Sequence, residues 1–277
     1  MERDYGQAVK WYRKAAEQDY AEAQSNLGEC YYEGLGIKKD YAEAVKWFRK
    51  AAEEHHAAAQ GQLGTCYYEG QGVEKDHAEA VKWFRKAAEQ NYAPSQNNLG
   101  VCYRDGHGLE KDYAEAAKWF RKAAEQNEAE AQNNLGVCYT KGRGVEKNDK
   151  EAVKWLRKSA EQNVAEAEYN LGLCYYDGQG VEKDYAEAVR WARKAAEQNV
   201  AEAQDFLGER YHEGEGVKKD RVESYAWHSL AASKSETAAK HRDALADTMS
   251  AKEVAEGQKR TEELRAQIEA KLKSGGK

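Results

Sequence analysis

The five cysteines are the side chains best equipped for chemistry in this chain, and their spacing decides which chemistry. Cys30, Cys66, Cys102, Cys138 and Cys174 each lie 36 residues from the next, and the run NNLGVCY occurs at both 97–103 and 133–139. A thiol can be a nucleophile, a disulfide half or a soft metal ligand. A metal site would need close ligand spacing such as Cys-x-x-Cys, or histidines in step with the thiols, and neither is present. Equivalent residues in stacked helical units sit about 8–10 Å apart, beyond the roughly 7 Å limit on Cα atoms bridged by a disulfide. One cysteine per unit beside a tyrosine suits a small buried hydrophobe. Free thiols in turn favour a reducing compartment.

The other reactive residues are equally plain. His55 and His56 are adjacent and so not on one helical face, and His77 stands where other units carry tyrosine; no metal is expected. The segments GLGIKKD, GQGVEKD and GHGLEKD contain G-x-G, but a phosphate-binding loop needs a preceding strand, and none is predicted. The many glutamates fall at helix starts and on exposed faces, where they solvate and pair with lysine. No Ser-His-Asp or Cys-His constellation stands out. The chain reads as non-catalytic and without a cofactor, with a hydrolase as the less favoured alternative.

The totals agree. Of 277 residues 33% are charged, yet seven Trp and eighteen Tyr give more ring surface than a disordered chain would carry. The net charge of −6 is finely interspersed, so no basic aromatic stripe supports a nucleic-acid partner. There is no apolar run of about 18 residues for membrane insertion, and MERDYGQAVKWYRK lacks a signal-peptide core. A cytoplasmic location is expected, or a periplasmic or secreted one if an upstream signal sequence is missing.

A repeat must position these residues. Tryptophans fall at 11, 47, 83, 119, 155, 191 and 227, Leu-Gly pairs run from Leu27-Gly28 to Leu207-Gly208, and Asp4, Asp40, Asp76, Asp112, Asn148, Asp184 and Asp220 keep the same step of 36. Each unit predicts two helices. In DYAEAVKWFRKAAEE (40–54), Ala44, Val45, Trp47, Phe48, Ala51 and Ala52 form one face. Asp40 with Glu43 is a capping box, where each end of the first turn satisfies the other's amide. In AEAQSNLGECYYE (21–33), Ala23, Leu27, Cys30 and Tyr31 share a face, and Pro94 falls in the first turn of its copy. The glycine after this helix ends it in a left-handed conformation. Helices of about 13 residues do not persist alone, so the pairs must stack. The seven indoles then fill the layers, at roughly 150–250 Å² each.

The pattern LGxCYxxGxGVxKDYxxAxxWxxxAA resembles the Sel-1-like repeat family, relatives of the tetratricopeptide repeats, over about residues 4–235. The resemblance implies an all-α fold, a right-handed α/α superhelical solenoid of 36-residue helix-turn-helix repeats, acting as a protein–protein adaptor with a partner in its concave groove. It implies no catalytic residues; the C-terminal segment resembles the closing units of bacterial members, and a cell-envelope or host-interaction factor of the same repeat family is the alternative reading. Where the family places glycine at the end of the second helix, this chain has Asp19, Asn91, Asn127, Asn163 or Asn199, all residues that tolerate that backbone. Paired cysteines of the secreted branch are absent. The expected organisation is a repeat array over 1–235 (a half-repeat, 1–19, then six units), capping helices over 236–273, and a loose tail, 274–277. Ser250 and Glu253 open the last helix, whose Val254, Leu264, Ile268 and Leu272 either cover the array or meet a partner helix, capping being favoured.

Positions equivalent to 25, 29, 32 and 33 of the first helix vary between units while their neighbours hardly change, and they form one stripe. By resemblance to tetratricopeptide repeats, that stripe lines the groove. The partner-binding residues expected there are Asn97, Val101, Arg104, Asn133, Val137, Thr140, Lys141, Tyr169, Leu173 and Tyr176. Valine and leucine beside tyrosine and arginine suit recognition, and Asn97 and Asn133 would serve an extended peptide's backbone. Arg104 and Lys141, with Arg143 nearby, would form a small basic spot. The face of Val9, Trp11 and Tyr12, or the last helix, offers a route to self-association.

Overall fold

The computed structural model describes residues 4–275, and every regular element among them is a helix. The first helix of each repeat is α2 (Ala21–Glu33), α4 (Ala57–Glu69), α6 (Ala93–Asp105), α8 (Ala129–Lys141), α10 (Ala165–Asp177) and α12 (Ala201–Glu213). The second is α1 (Tyr5–Ala16), α3 (Tyr41–Glu53), α5 (His77–Glu89), α7 (Tyr113–Glu125), α9 (Asp149–Glu161), α11 (Tyr185–Glu197) and α13 (Arg221–Ala231), and α14 (Glu236–Ala246) and α15 (Ala251–Gly275) follow. The helices group into two compact units, one running through Ala131 with Arg143–Val145, the other made of Gln132–Gly142 and the residues from Glu146 on. Within the first unit α2 packs on α3 and α3 on α4, and within the second α10 packs on α11 and α11 on α12.

The helix ends explain the punctuation. Asp40 Oδ1 accepts the Glu43 amide at 3.0 Å, and Asp76 does the same for Glu79. The capping box is only half formed: the Asp40 amide donates to the Tyr31 carbonyl at 2.9 Å, a tertiary bond unavailable to an isolated helix. Glutamates of the first turn pair instead with lysine one turn on, as Glu79 does with Lys82 at 2.7 Å. Gly34 (φ 75°) closes α2, and its amide reaches Cys30 O at 2.9 Å. Asp19, His55, Asn91, Asn127, Asn163 and Asn199 all take φ between 60° and 68°. The second glycine of the G-x-G pair is equally constrained: a Cβ on Gly72 would collide with the backbone carbonyl of Tyr41, so the loop lies against the start of the preceding repeat's helix. That is a packing role for the motif.

In the first unit Leu27, Leu63, Phe48, Val45 and Cys30 form the core; in the second, Val189, Leu207, Trp227, Leu264 and Ile268 do. Leu-Gly pairs leave room for what presses on the glycine: a Cβ on Gly64 would lie 2.6 Å from the Phe84 ring, and one on Gly136 2.7 Å from Leu156. The indoles are less uniform than expected. Trp83, Trp155, Trp191 and Trp227 are buried, Trp47 and Trp119 are half-buried, and Trp11 is exposed. A lysine ammonium lies over the rings, for example Lys86 at 3.9 Å from Trp83 and Lys122 at 4.0 Å from Trp119, so these indoles sit at the edge of a layer under a charged lid.

In the second unit α15 lies along α13. Its cap is a complete capping box, with Ser250 N donating to Glu253 Oε2 at 2.8 Å and Glu253 N to Ser250 Oγ at 3.3 Å. Leu264 and Ile268 enter the core beside Trp227, while Leu272 is exposed. The helix includes Ser274 and Gly275; residues 276–277 of the expected loose tail lie outside the described residues.

Candidate interaction surface

The variable stripe divides between the two units, and each part has its own character. In the first unit Val101 is half-buried and lines a cleft of 110 Å³ with Thr65, Tyr68, Glu69, Phe84 and Asn98. Arg104 forms a bidentate pair with its neighbour Asp105, at 2.9 and 2.7 Å. That contact holds the Asp105 carboxyl below its ordinary range. The guanidinium of Arg143 stacks over Tyr113 at 5.3 Å. The positive charge expected here is therefore largely satisfied by the protein itself.

Asn97 is buried, at 9% exposure. Its position belongs to a register that faces the next first helix: a Cβ on the equivalent Gly61 would lie 2.6 Å from Ser95 Oγ. In the second unit Asn133 behaves likewise, 8% exposed, its Oδ1 accepting from Asn170 Nδ2 at 3.1 Å. The stripe thus loses its asparagine edge to inter-repeat packing. Val137 and Leu173 remain half-buried, Lys141 is exposed, and Thr140 Oγ1 donates to the Gly136 carbonyl at 3.0 Å. Tyr169 packs edge-on to Phe206 at 6.2 Å. The Tyr176 ring lies 5.2 Å from Tyr185 and 5.3 Å from Phe206, with the Arg210 guanidinium 4.2 Å above it.

Three networks were not apparent in the sequence reading. Tyr68 OH meets His107 Nδ1 at 2.7 Å, Tyr176 OH donates to Glu215 at 3.2 Å, and Tyr32 OH donates to Gln71, each bond reaching 39 residues on. Burial pushes the Tyr32 hydroxyl up to about 12. Arg104 and Thr140 occupy this position in the middle repeats. Second, a guanidinium donates to a tyrosine hydroxyl 18 residues on, at Arg13–Tyr31 (2.7 Å), Arg49–Tyr67 (2.7 Å), Arg85–Tyr103 (3.0 Å) and Arg157–Tyr175 (2.8 Å). Third, Gln24, Gln60, Gln96 and Gln204 are buried, each donating to a carbonyl eight residues back at 3.0–3.2 Å. Gln60 and Gln96 also accept from Gln90 and Gln126 at 2.7 Å. Their signal was a step of 36 in a polar residue, which the hydrophobic period does not weigh.

The cysteines are free and buried. Burial raises the thiols of Cys30, Cys66, Cys102 and Cys174, with Cys66 and Cys102 pushed up to about 12 and Cys174 to about 11. A buried thiol whose pKa is raised in this way is a poor nucleophile at neutral pH. The histidines that the fold brings together are not the adjacent pair. His77 and His107 are edge-on at 4.8 Å, and His228 faces His241 at 5.3 Å. Among the described residues no helix is long and apolar enough to cross a membrane.

The Sel1 repeat pattern matches residues 1–20, 21–56, 57–92, 93–128, 129–164, 165–200 and 201–236. A Sel1 repeat protein from Oxalobacter formigenes is 33% identical, over 83% of this chain and 97% of that one, with a TM-score of 0.72. A protective antigen of uropathogenic Escherichia coli strains with an SLR fold is 30% identical, over 96% and 80%, with a TM-score of 0.43. A structure from Klebsiella pneumoniae shares 22% identity and the fold, over 73% and 98%, with a TM-score of 0.51. No curated protein matches the chain.

Proposed function

This chain belongs to the Sel1 repeat family, whose members generally work as protein-interaction scaffolds, and we propose that it is a non-catalytic scaffold holding a protein or peptide segment on the first-helix stripe. The observation that carries the reading is a pattern of side chains at one register. The positions equivalent to Glu29 become Thr65, Val101, Val137 and Leu173 before returning to Glu209, in repeats whose packed residues scarcely change. Half-buried valine and leucine beside tyrosine make a surface that gains by being covered.

The partner envisaged is an apolar or aromatic segment. Arg104 is already paired with Asp105, and Lys141 supplies an exposed charge at the rim. Val101 and its cleft are the candidate surface of the first unit; Val137, Tyr169, Leu173 and Tyr176 are, separately, that of the second. Buried Asn97 and Asn133 support the neighbouring helices and so position the stripe. The interspersed net negative charge gives nucleic acid no foothold, and the protonated, buried thiols fit a reducing, cytoplasmic setting.

The test is affinity capture from the native host, followed by binding measurements with the identified partner. Combining Val101→Glu, Val137→Glu and Leu173→Glu should weaken binding at least ~10-fold with the helical circular dichroism unchanged. Undiminished capture by this folded variant overturns the stripe as the docking surface.

A further inference from the structure

We propose that Asp205, His228 and His241, in the second unit, form a binding site for a divalent transition metal of the zinc class, with Glu209 as the fourth donor. The three residues come from three helices, α12, α13 and α14, so chain proximity does not explain their meeting. Asp205 Oδ1 lies 2.6 Å from His228 Nδ1 and 3.1 Å from His241 Nδ1, and one donor atom from each residue lies within 4.8 Å of the others. Glu209 Oε1 follows at 3.8 Å from His241 Nδ1.

Two imidazoles and a carboxylate are a borderline-soft donor set that suits zinc. A tetrahedral ion with bonds of about 2.0–2.1 Å sets its donors about 3.3 Å apart. The His241–Asp205 separation is already near that figure, and His228–Asp205 opens by less than about 1 Å to reach it. The cation would take the place of the contacts that both imidazoles make to one carboxylate oxygen. Its charge is met by Asp205 and Glu209; Arg210 holds the other Glu209 oxygen, Oε2, at 3.1 Å and pairs with Glu215 at 2.9 Å, which leaves Glu209 Oε1 facing His241.

Two features mark the cluster as built. His228 is 97% buried by its 3% exposure and is pinned against the helix before it: a Cβ on Gly208 would lie 2.6 Å from the imidazole. It occupies the position that holds Phe48, Phe84, Phe120, Leu156 and Ala192 in the other repeats. A titratable ring has thus replaced an apolar group where a carboxylate, Asp205, has replaced Ser25, Gly61, Asn97, Asn133 or Tyr169. A cavity of about 530 Å³, lined by Glu209, His228, His241 and Thr248 among others, opens beside the cluster and gives an ion its path. Bound metal would staple α14 to the last repeat. Its own apolar hold is slight, with Ala238 and Leu245 as its buried residues.

The experiment titrates zinc alone into chelator-treated full-length protein, in competition with a chromophoric chelator. Cobalt(II) is then titrated separately for its d–d spectrum. One equivalent per chain and tetrahedral cobalt bands are expected. His241→Ala, at a partly exposed position that leaves folding intact, should weaken binding at least ~100-fold. Combining His55→Ala with His56→Ala should leave it unchanged. Absence of stoichiometric binding, binding retained in His241→Ala, or binding lost in the His55/His56 variant overturns the proposal.

Discussion

The interior repeats and the closing segment solve the same packing problem with different chemistry. In the interior, the Leu-Gly step of the first helix meets Phe48, Phe84, Phe120 or Leu156, or at Gly172 the backbone of Ala188 and Ala192, and a cysteine fills the next gap. In the last repeat the same slots hold His228 and Arg210. An apolar slot needs only the right volume. An imidazole and a guanidinium need partners, and the fold supplies Asp205 and His241 for one, and Glu209 and Glu215 with the Tyr176 ring for the other. Repetition therefore ends where polar contacts begin to specify which helix comes next. A uniform stack does not by itself say where to stop.

The sharpest way to break this comparison is to restore the interior pattern. His228→Phe leaves the mostly buried Asp205 with His241 as its remaining imidazole partner, and in chelator-treated protein should cost about 1–3 kcal/mol. Adding Asp205→Asn should recover part of that loss, because the stranded charge is gone. Urea unfolding of the two single variants and the double gives the coupling. If the two effects simply add, the pair is not the specifying contact and the contrast drawn above fails.

This contrast also sets what was legible in the sequence. The period of 36 placed both helices of a unit to within a residue, as 21–33 against Ala21–Glu33 and 40–54 against Tyr41–Glu53. Helical periodicity and capping residues act locally, so one chain displays them. It also identified the left-handed helix ends at Asp19 and the asparagines. The stripe was legible only as a register. Helical geometry put Asn97 and Asn133 opposite the packed face, but a first helix touches its neighbours in the stack as well as its own partner, which widens the buried arc. The Asp205 cluster was invisible because α14 follows no repeat and its register against α12 is a tertiary fact. Arg104 differs: its charge is absorbed by Asp105, the next residue, and the side-chain rotamers that pair them are not fixed by their adjacency.

A second comparison lies within the buried glutamine ladder, where one rung is acidic. Glu168 is 1% exposed and accepts from Gln198 Nε2 at 2.8 Å, with Lys194, Glu197 and Lys271 around it. Burial raises its carboxyl above the ordinary value despite that bond. Gln60, Gln96 and Gln204 each donate to the carbonyl eight residues back, which ionised Glu168 is unable to do for Ala160. Because the folded-state value is the higher one, the native state favours the protonated acid. Its destabilising ionisation is absent below the ordinary carboxylate range and sets in as pH rises through the raised value. Glu168→Gln should therefore stabilise the protein by about 1 kcal/mol at neutral pH. The gain should shrink as pH falls toward the ordinary carboxylate value. Thermal or urea unfolding across that range measures it, and a gain independent of pH would mean that ionisation at this rung costs nothing.

The smallest effect concerns how second helices end. Through the interior a left-handed residue turns the chain, from Asp19 to Asn199, with His55 (φ 60°) the one imidazole in the series. At the next step of 36 the chain has Ser235, extended at φ −135°, whose side chain caps α14 instead. The left-handed turn thus belongs to the repeat and not to the cap. Left-handed backbone costs most side chains about 1–2 kcal/mol, and asparagine less because its short polar side chain bonds locally. His55→Asn should gain roughly 0.5 kcal/mol and Asn163→Ala should lose about 1 kcal/mol. Ser235→Asn should gain nothing, since its backbone is extended and serine already serves as the cap. Chemical denaturation resolves the first two if the slope with denaturant stays constant. Equal responses at His55 and Ser235 would show that the two junctions are not different in kind.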